Sequence, residues 1–218
     1  MQSDRRAVII YSGGMDSFTL LGQLWQGGYD LYALSFNYGQ RHSKELTFAS
    51  RVCSGWGIAH REIAFPRMPG SSQTEDSIPV PEGHFADASM KQTVVPNRNM
   101  IMLSLAAGYA VSLGWREVFT AVHAGDHAIY PDCRPAFIAA MNQVTEIANY
   151  QPVTIQAPYL HMSKGDILRE GLVLGLDYRQ SWTCYNGREK PCGKCGACTE
   201  RLEAFAQNNA VDPLEYEA

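Results

Sequence analysis

The chain has 218 residues, of which 45% are hydrophobic and 18% are charged, so it can form one domain with a sizeable apolar core. Its formal net charge of -4 and the lack of a basic run give no general attraction to nucleic acid or to an anionic membrane. No apolar stretch reaches the roughly 20 residues that span a bilayer, and the apolar run near the N-terminus is too short for a signal peptide. We therefore expect a cytoplasmic protein without a nucleic-acid or membrane partner.

Strand-like and helix-like stretches alternate from the N-terminus onward. "RAVIIYS" predicts a buried strand, and "MDSFTLLGQLWQGG" predicts an amphipathic helix that ends at two glycines. The strand "DLYALSFNY", the helix "HSKELTFASRVCSGWG" and the strand "IAHREIAF" follow. Residues 66–94 are then rich in Pro, Gly, Ser and acidic side chains. This segment is too long for a plain connection and is typical of a functional lid or a disordered loop.

The alternation resumes after residue 94. The helix "NMIMLSLAAGYAVSLG", the strand "EVFTAV", the helix "PAFIAAMNQVTEIANY", the strand "VTIQAP" and the helix "SKGDILREGLVLGL" come in turn, and "CTERLEAFAQNN" predicts a closing helix. Strands that alternate with helices form a parallel sheet covered on both faces. The sequence thus predicts a Rossmann-like, three-layer α/β/α fold in residues 1–180. Residues 181–218 are predicted to form a cysteine-bearing segment and a closing helix packed on that domain.

The segment "YSGGMDS" lies between the first strand and the first helix, at the sheet edge where such folds bind ligands. Gly13 and Gly14 let backbone N–H groups approach an anion, and the following helix N-terminus adds its dipole. Ser12 and Ser17 add hydroxyl donors, and Asp16 could hold a divalent cation that bridges phosphates. The alternative is a glycine turn with an Asp or Ser helix cap. Directly after a first buried strand, the pattern favours a phosphate-binding loop.

This segment matches every fixed position of the pyrophosphate-loop motif Ser-Gly-Gly-x-Asp-Ser, so the chain resembles the N-type ATP pyrophosphatases, with an adenine nucleotide alpha-hydrolase-like fold. The resemblance implies cleavage of ATP between the α and β phosphates and Mg²⁺ bound with ATP. Tyr38 and Gln40, at the end of the second strand, are candidates for holding the adenine or ribose; the alternative is a packed tyrosine and a solvated glutamine. The implied ATP site comprises Tyr11, Ser12, Gly13, Gly14, Met15, Asp16, Ser17, Phe18, Thr19, Leu20, Leu21, Tyr38 and Gln40.

Four cysteines near the C-terminus have the spacing C-x7-C-x2-C-x2-C. Cys184, Cys192, Cys195 and Cys198 can supply four thiolates, a set that satisfies tetrahedral zinc and leaves no open position. The sequence therefore predicts one structural Zn²⁺ per chain. The alternatives are free thiols, disulfides, or an iron–sulfur cluster, since C-x2-C-x2-C also begins the ferredoxin run. That run continues with x3-C-P, whereas here a helix-like stretch follows.

Three further stretches narrow the class: "FNYGQRH", "VPNRNMI" and "YPDCRPAFI". Together with the cysteine tail they resemble the 7-cyano-7-deazaguanine synthase family (QueC), over about Ala7 to Glu203. The resemblance implies a ligase that forms carbon–nitrogen bonds in queuosine precursor biosynthesis. The carboxylate of 7-carboxy-7-deazaguanine would attack ATP to give an acyl adenylate, ammonia would give the amide, and a second ATP would drive loss of AMP to leave the nitrile. Residues 66–94, with Gly70 and Ser71, would lie on the substrate side.

The resemblance also implies roles for residues outside the first loop. Arg98 could clamp a phosphate or the substrate carboxylate, and Lys164 could neutralise phosphate charge. The alternatives are a salt bridge for Arg98, an exposed lysine, and a helix cap for Asp132 on the helix that follows it. The catalytic set is Asp16, Ser17, Arg98 and Lys164. The substrate-binding set is Arg98, Asp126, Tyr130, Asp132 and Arg134.

Residues 123–129, "HAGDHAI", depart from the Asp-Tyr-Ser-Gly stretch that is common in the family. Asp126 keeps an acid there, but its neighbours change the expected base pocket. A diverged member could stop at the amide, or join the base to an amine on a protein partner. His42, His123 and His127 are candidate proton carriers, and each has a packed or surface histidine as its alternative.

The sequence leaves two alternative functions open. A tRNA-modifying, thiolating pyrophosphatase would need a catalytic cysteine outside the tail, and only Cys53 and Cys133 qualify. A zinc-bearing module that binds nucleotide without turnover is the second rival, although an inert site has no need of Asp16. A homodimer is compatible with the apolar helices.

Overall fold

A computed structural model describes residues 5–85 and 88–217. Five strands form one parallel sheet in the order β3-β2-β1-β4-β5. The strands are β1 (Arg6–Ile10), β2 (Asp30–Asn37), β3 (Ala59–Ala64), β4 (Glu117–Phe119) and β5 (Thr154–Gln156). The helices are α1 (Met15–Gln26), α2 (Lys44–Trp56), α3 (Arg98–Leu113), α4 (Pro135–Ala148), α5 (Lys164–Val173) and α6 (Gly196–Gln207). The predicted α/β/α class is confirmed.

The first strand explains the two-sided core. Successive residues of a strand point to opposite faces of the sheet. Ile9 packs with apolar side chains of α1, α2, α5 and α6, whereas Val8 packs with those of α3 and α4. Because both faces of β1 are covered, its sequence is a continuous apolar run rather than an alternating one.

The strand order reverses beside β1, which pairs with β2 on one side and with β4 on the other. Ligands of open parallel sheets bind beyond the carboxyl ends of the strands at such a reversal. The loop that follows β1 therefore occupies the position where this topology forms a crevice.

The middle and the end of the long segment 66–94 include residues that pack into the protein. Ser71, Ser72, Gln73 and Thr74 are at most 1% exposed, and a 3-10 helix covers Ala88–Thr93. An isolated antiparallel bridge joins Glu82 to Cys195. The segment is thus attached to the cysteine region.

The C-terminal segment is anchored by Arg201, which is 1% exposed. Its guanidinium donates two hydrogen bonds to Asp212, at 2.6 and 3.0 Å, and others to Ser181 Oγ, Thr183 Oγ1 and the Tyr178 carbonyl. A buried guanidinium needs such complete satisfaction. Side chains of α6 also join the core of α1 and α5, so the segment packs on the sheet domain; the boundary at residue 180 stays a prediction. No helix of the described ranges has both the length and the apolar character to cross a bilayer.

Gly13 offers a test of this packing, because its φ is +87° and a Cβ there would clash with the Glu45 carbonyl oxygen. We expect Gly13→Ala to lower the free energy of unfolding by about 2 kcal/mol or more, from backbone strain and the clash. Urea unfolding measures the change. The matched control is Gly108→Ala in α3, where a Cβ meets nothing within 4 Å and should stabilise by roughly 0.5–1 kcal/mol. Equal effects of the two substitutions would contradict the packing described here.

Candidate active site

The loop after β1 is organised by its own hydroxyl groups. Ser12 Oγ accepts a hydrogen bond from the Gly14 N–H at 3.1 Å and lies 3.0 Å from Ser17 Oγ. Ser17 Oγ in turn accepts from the Ser12 N–H and donates to the Gly14 carbonyl. The first N–H groups of α1 have no partner within the helix, as at any helix N-terminus. The loop is therefore held in shape with backbone donors left for an anion.

A cavity of about 220 Å³ lies beyond the carboxyl ends of β1, β2 and β4. Ten of the predicted site residues line it: Tyr11, Ser12, Gly14, Met15, Asp16, Ser17, Tyr38, Arg98, Asp126 and Lys164. The remaining predicted residues lie outside its lining: Gly13, Phe18, Thr19, Leu20, Leu21, Gln40, Tyr130, Asp132 and Arg134. Of these, Phe18, Leu20 and Leu21 belong to the hydrophobic core. Tyr130 lines a small neighbouring cavity, and its hydroxyl lies 2.6 Å from Thr93 Oγ1. The roles of all these residues stay predictions.

Lys164 is buried, contrary to the alternative of an exposed lysine, and joins two carboxylates from different elements. Its ammonium lies 2.5 Å from Glu200 Oε2 and 3.3 Å from Asp16 Oδ2, and the side chain is 8% exposed. Burial lowers the pKa of Lys164, but the charges of Asp16 and Glu200 more than offset this, so the net pKa is raised. The lysine is therefore a fixed cation in the cavity wall, next to the loop that follows β1.

His123 faces the same group of acids. Its Nδ1 accepts a hydrogen bond from the Gly125 N–H at 3.1 Å, so the ring proton is on Nε2. Nε2 lies 3.8 Å from Asp16 Oδ2 and 3.7 Å from Asp126 Oδ2. The Gly125 N–H thus fixes the ring of His123, and Nε2 faces the carboxylates without a direct hydrogen bond among the described residues.

Arg98 lies at the start of α3, and the side chains that its guanidinium bonds are neutral. It donates to the Tyr38 hydroxyl at 3.3 Å and to Gln73 Oε1 at 3.1 Å. No carboxylate of the described residues forms an ion pair with it, so the alternative of a salt bridge is wrong for this part of the chain. Burial raises the pKa of Tyr38 to about 12, with Arg98 acting in the opposite direction, so the phenol stays neutral. A cation without an anionic partner at a cavity is suited to a phosphate or carboxylate.

Gln40, Asp132 and Arg134 are engaged elsewhere. Gln40 is buried rather than solvated, because its side chain accepts from the Tyr38 N–H and donates to the Phe36 carbonyl. Asp132 Oδ2 accepts from the Asn99 N–H at 3.0 Å, which satisfies the N-terminus of α3. The alternative that Asp132 caps the following helix, α4, is therefore wrong. Arg134 is exposed and donates to the His127 carbonyl.

The four tail cysteines come together as the spacing predicts. One sulfur from each lies within 4.8 Å of the others, and all four residues are buried. Backbone N–H groups point at the sulfurs, with Cys192 N 3.4 Å from Cys184 Sγ and Cys195 N 3.3 Å from Cys192 Sγ. Such N–H donors favour thiolates, so the chemistry of this donor set fits a metal ion.

Comparison with known proteins places the chain in a family. A family model described as Queuosine biosynthesis protein QueC matches residues 6–209. The chain belongs to the QueC family. The 7-cyano-7-deazaguanine synthase of Hahella chejuensis is 62% identical over 98% of this chain and 94% of its own. The enzyme of the same name from Pseudoalteromonas atlantica is 60% identical over 98% of this chain and 99% of its own.

Solved structures with a similar fold provide a second comparison. The U34-tRNA thiolase NcsA from Methanococcus maripaludis superposes with a TM-score of 0.51 and covers 99% of this chain and 75% of its own, at 13% identity. At that identity the likeness shows a shared fold and no shared substrate. The predicted resemblance to the QueC family is confirmed.

Sequence reasoning missed two acids, Glu45 and Glu200, which line the cavity of this QueC-family chain together with His42, a candidate proton carrier. Glu200 follows the last cysteine by two residues, and the sequence pattern predicts only that it belongs to the closing helix. The only local indication of a site role for Glu200 was that this acid lies directly after a metal-binding motif. Its pairing with Lys164 is a contact between distant segments, which no local pattern reports.

Lys164 leads to a pH-dependent prediction. Its folded-state pKa is raised above the unfolded value near 10.4, so its stabilisation is complete below that pH and is lost as the pH rises through the folded-state value. Lys164→Met should cost about 3 kcal/mol of unfolding free energy at pH 8, because two carboxylates lose their partner. The deficit should shrink by about 1 kcal/mol at pH 11. Urea unfolding at both pH values measures it, with exposed Lys91→Met as the control; a deficit that grows with pH would contradict the assignment.

Proposed function

We propose that this chain is an ATP-dependent 7-cyano-7-deazaguanine synthase that makes its product from 7-carboxy-7-deazaguanine and ammonia and releases AMP and pyrophosphate. The observation that carries the proposal is the cavity itself. It combines a preorganised anion-binding loop with two cationic side chains, Lys164 and Arg98, in a chain of the QueC family. ATP cleavage at the α-phosphate needs this combination, because negative charge develops on the departing pyrophosphate.

The loop would hold the phosphates through its backbone donors. The N-terminal N–H groups of α1 and the hydroxyls of Ser12 and Ser17 would contact the phosphoryl oxygens, and the helix dipole would add to this attraction. Lys164 would stabilise the leaving pyrophosphate as a fixed charge. Asp16 keeps Lys164 in position and still has a buried Oδ1 without a hydrogen-bond partner among the described residues.

That unpaired oxygen fits Mg²⁺ bound with ATP. Asp16 Oδ1 would hold the ion, and the ion would supply charge that neutralises the phosphates when bound. Asp126 and Glu200 line the same cavity and would complete an acidic surround. This arrangement also explains why a carboxylate occurs in a loop that binds anions.

Arg98 would hold the substrate carboxylate through its planar guanidinium, because it already lies at the cavity and forms no ion pair with a carboxylate of residues 5–85 or 88–217. Asp126 is the better candidate for the guanine-like edge of the base. Asp132 already accepts a bond from the Asn99 N–H and lies outside the cavity lining, as does Arg134. Tyr38, a neutral phenol, would contact the nucleotide or the base.

The pKa values of the two cysteines outside the tail argue against a tRNA-thiolating activity. Cys133 lines the cavity, but burial strongly raises the pKa of its thiol, and burial raises the pKa of Cys53 to about 12. A catalytic thiol needs a lowered pKa, because the thiolate is the nucleophile. Cys53 also belongs to the hydrophobic core.

The tail cysteines would hold one structural Zn²⁺. Four buried sulfurs leave no open position, so the ion would stabilise the fold around α6 rather than take part in the reaction. This would fix the helix that carries Glu200.

The activity prediction uses ATP, Mg²⁺, ammonium and 7-carboxy-7-deazaguanine, with the products identified by mass. We expect the nitrile with two AMP and two pyrophosphate per nitrile. Accumulation of the amide would favour a diverged enzyme that stops there, and product only with a protein amine would favour conjugation. Asp16→Asn should lower AMP release at least about 100-fold, because residue 16 would no longer hold the metal ion or position Lys164 at the phosphates. Asp177→Asn, on the surface, is the control, and no AMP release by the wild type would refute the proposal.

The zinc content of the purified protein tests the proposed structural metal site. Plasma mass spectrometry of the purified chain should give one zinc per chain, and Cys195→Ser should lose it and unfold more readily. Cys53→Ala should keep the metal, since Cys53 lies outside the cluster. A brown protein that contains iron and sulfide would contradict the zinc assignment.

A further inference from the structure

Two histidines line the cavity, and of these two only His42 has a buried ring nitrogen without a hydrogen-bond partner among the described residues. His123 accepts a backbone N–H through Nδ1 and faces carboxylates through Nε2. His42 is 5% exposed, and its Nδ1 is buried without a hydrogen-bond partner among the described residues. An unpaired nitrogen of this kind is costly unless a ligand or reacting group meets it.

Glu45 fixes the orientation of His42. Glu45 Oε1 lies 3.3 Å from His42 Nε2, and Glu45 is itself 8% exposed in the first turn of α2, where the helix dipole favours a negative charge. A carboxylate this close to Nε2 favours the tautomer with the ring proton on Nε2. The lone pair is left on Nδ1, which is the state a proton acceptor needs.

Two tyrosine rings pack against the ring of His42. The ring centroids of Tyr38 and Tyr185 lie 6.4 and 5.6 Å from that of His42. Burial raises the pKa of Tyr38 to about 12 and that of Tyr185 well above its usual value, so both phenols keep their protons. Arg98 lies over the Tyr38 ring at 5.9 Å. The other charged groups of the cavity lining are Asp16, Asp126, Lys164 and Glu200.

The pair also adjoins the phosphate-binding loop. Gly13 packs so closely against the Glu45 carbonyl that a side chain at position 13 would have no room. The His42–Glu45 pair is thus next to the residues that would hold the phosphates of ATP.

We propose that His42, oriented by Glu45, is the base that removes protons from the reacting nitrogen; this inference rests on the proposed function. When ammonia attacks the acyl adenylate, the C–N bond forms, the C–O bond to AMP breaks with its electron pair leaving on AMP, and one N–H proton passes to Nδ1. The amide oxygen then attacks the second ATP and pyrophosphate leaves, with a second N–H proton lost. The last proton leaves as the C–O bond to AMP breaks and the nitrile forms. Between steps the imidazolium returns its proton to solvent.

Adenylation of the carboxylate has no proton to remove, which separates the two halves of the reaction. We expect His42→Gln to keep ATP–pyrophosphate isotope exchange with 7-carboxy-7-deazaguanine within about threefold of the wild type. Ammonium-dependent amide formation should fall about 100-fold or more, the usual contribution of a general base. Hydroxylamine gives a more acidic adduct and depends less on a base, so it should still trap the adenylate as a hydroxamate.

Glu45 tests the orienting role. Glu45→Gln should lower amide formation about tenfold with exchange retained, and Glu45→Asp should restore part of the loss. Exposed His161→Gln is the matched control and should leave both half-reactions unchanged.

Two results would overturn the inference: equal loss of exchange and amide formation in both His42→Gln and Glu45→Gln, or amide formation untouched in His42→Gln. A wild-type protein without exchange would instead overturn the proposed function, and this inference with it. Retained ATP–pyrophosphate exchange together with lost amide formation in His42→Gln supports both the proposed function and the role of His42.

Discussion

The buried ammonium of Lys164 is the interaction on which the rest of this site depends. It joins Asp16, at the start of α1, to Glu200 in α6. A buried cation is tolerated only when carboxylates surround it, so the loop and the C-terminal helix can occupy their positions only together. The same charge that holds the fold together at this point lies at the cavity where phosphates are proposed to bind.

The cysteine segment is therefore part of the cavity wall rather than an appendage. The Trp182 N–H donates to the Gly13 carbonyl at 2.9 Å, so the backbone of this segment is bonded directly to the loop. Trp182, Thr183, Tyr185 and Glu200 all line the cavity. A metal bound by the four thiols would act at a distance, by fixing the segment that positions these side chains.

Local patterns predicted the fold well and the site in part. The pattern of apolar residues located every strand and α-helix of the described chain. It could do so because hydrophobic periodicity and the turn residues that end an element are local features of the sequence. The helical period of α1 also shows why Phe18 and Leu21 lie in the core, although the motif places them in the implied ATP site. The pairing of Lys164 with Glu200 and the cap that Asp132 gives to α3 join residues more than 30 positions apart. Such contacts follow from packing, which a single sequence does not encode locally.

In the proposed reaction the carboxylate oxygen of the deazaguanine attacks the α-phosphate of ATP in this cavity. The sharpest test is to label both carboxylate oxygens of 7-carboxy-7-deazaguanine with ¹⁸O and to follow the label by mass spectrometry. We expect one ¹⁸O in each AMP released and none in pyrophosphate. Label in inorganic phosphate, or unlabelled AMP, would contradict it.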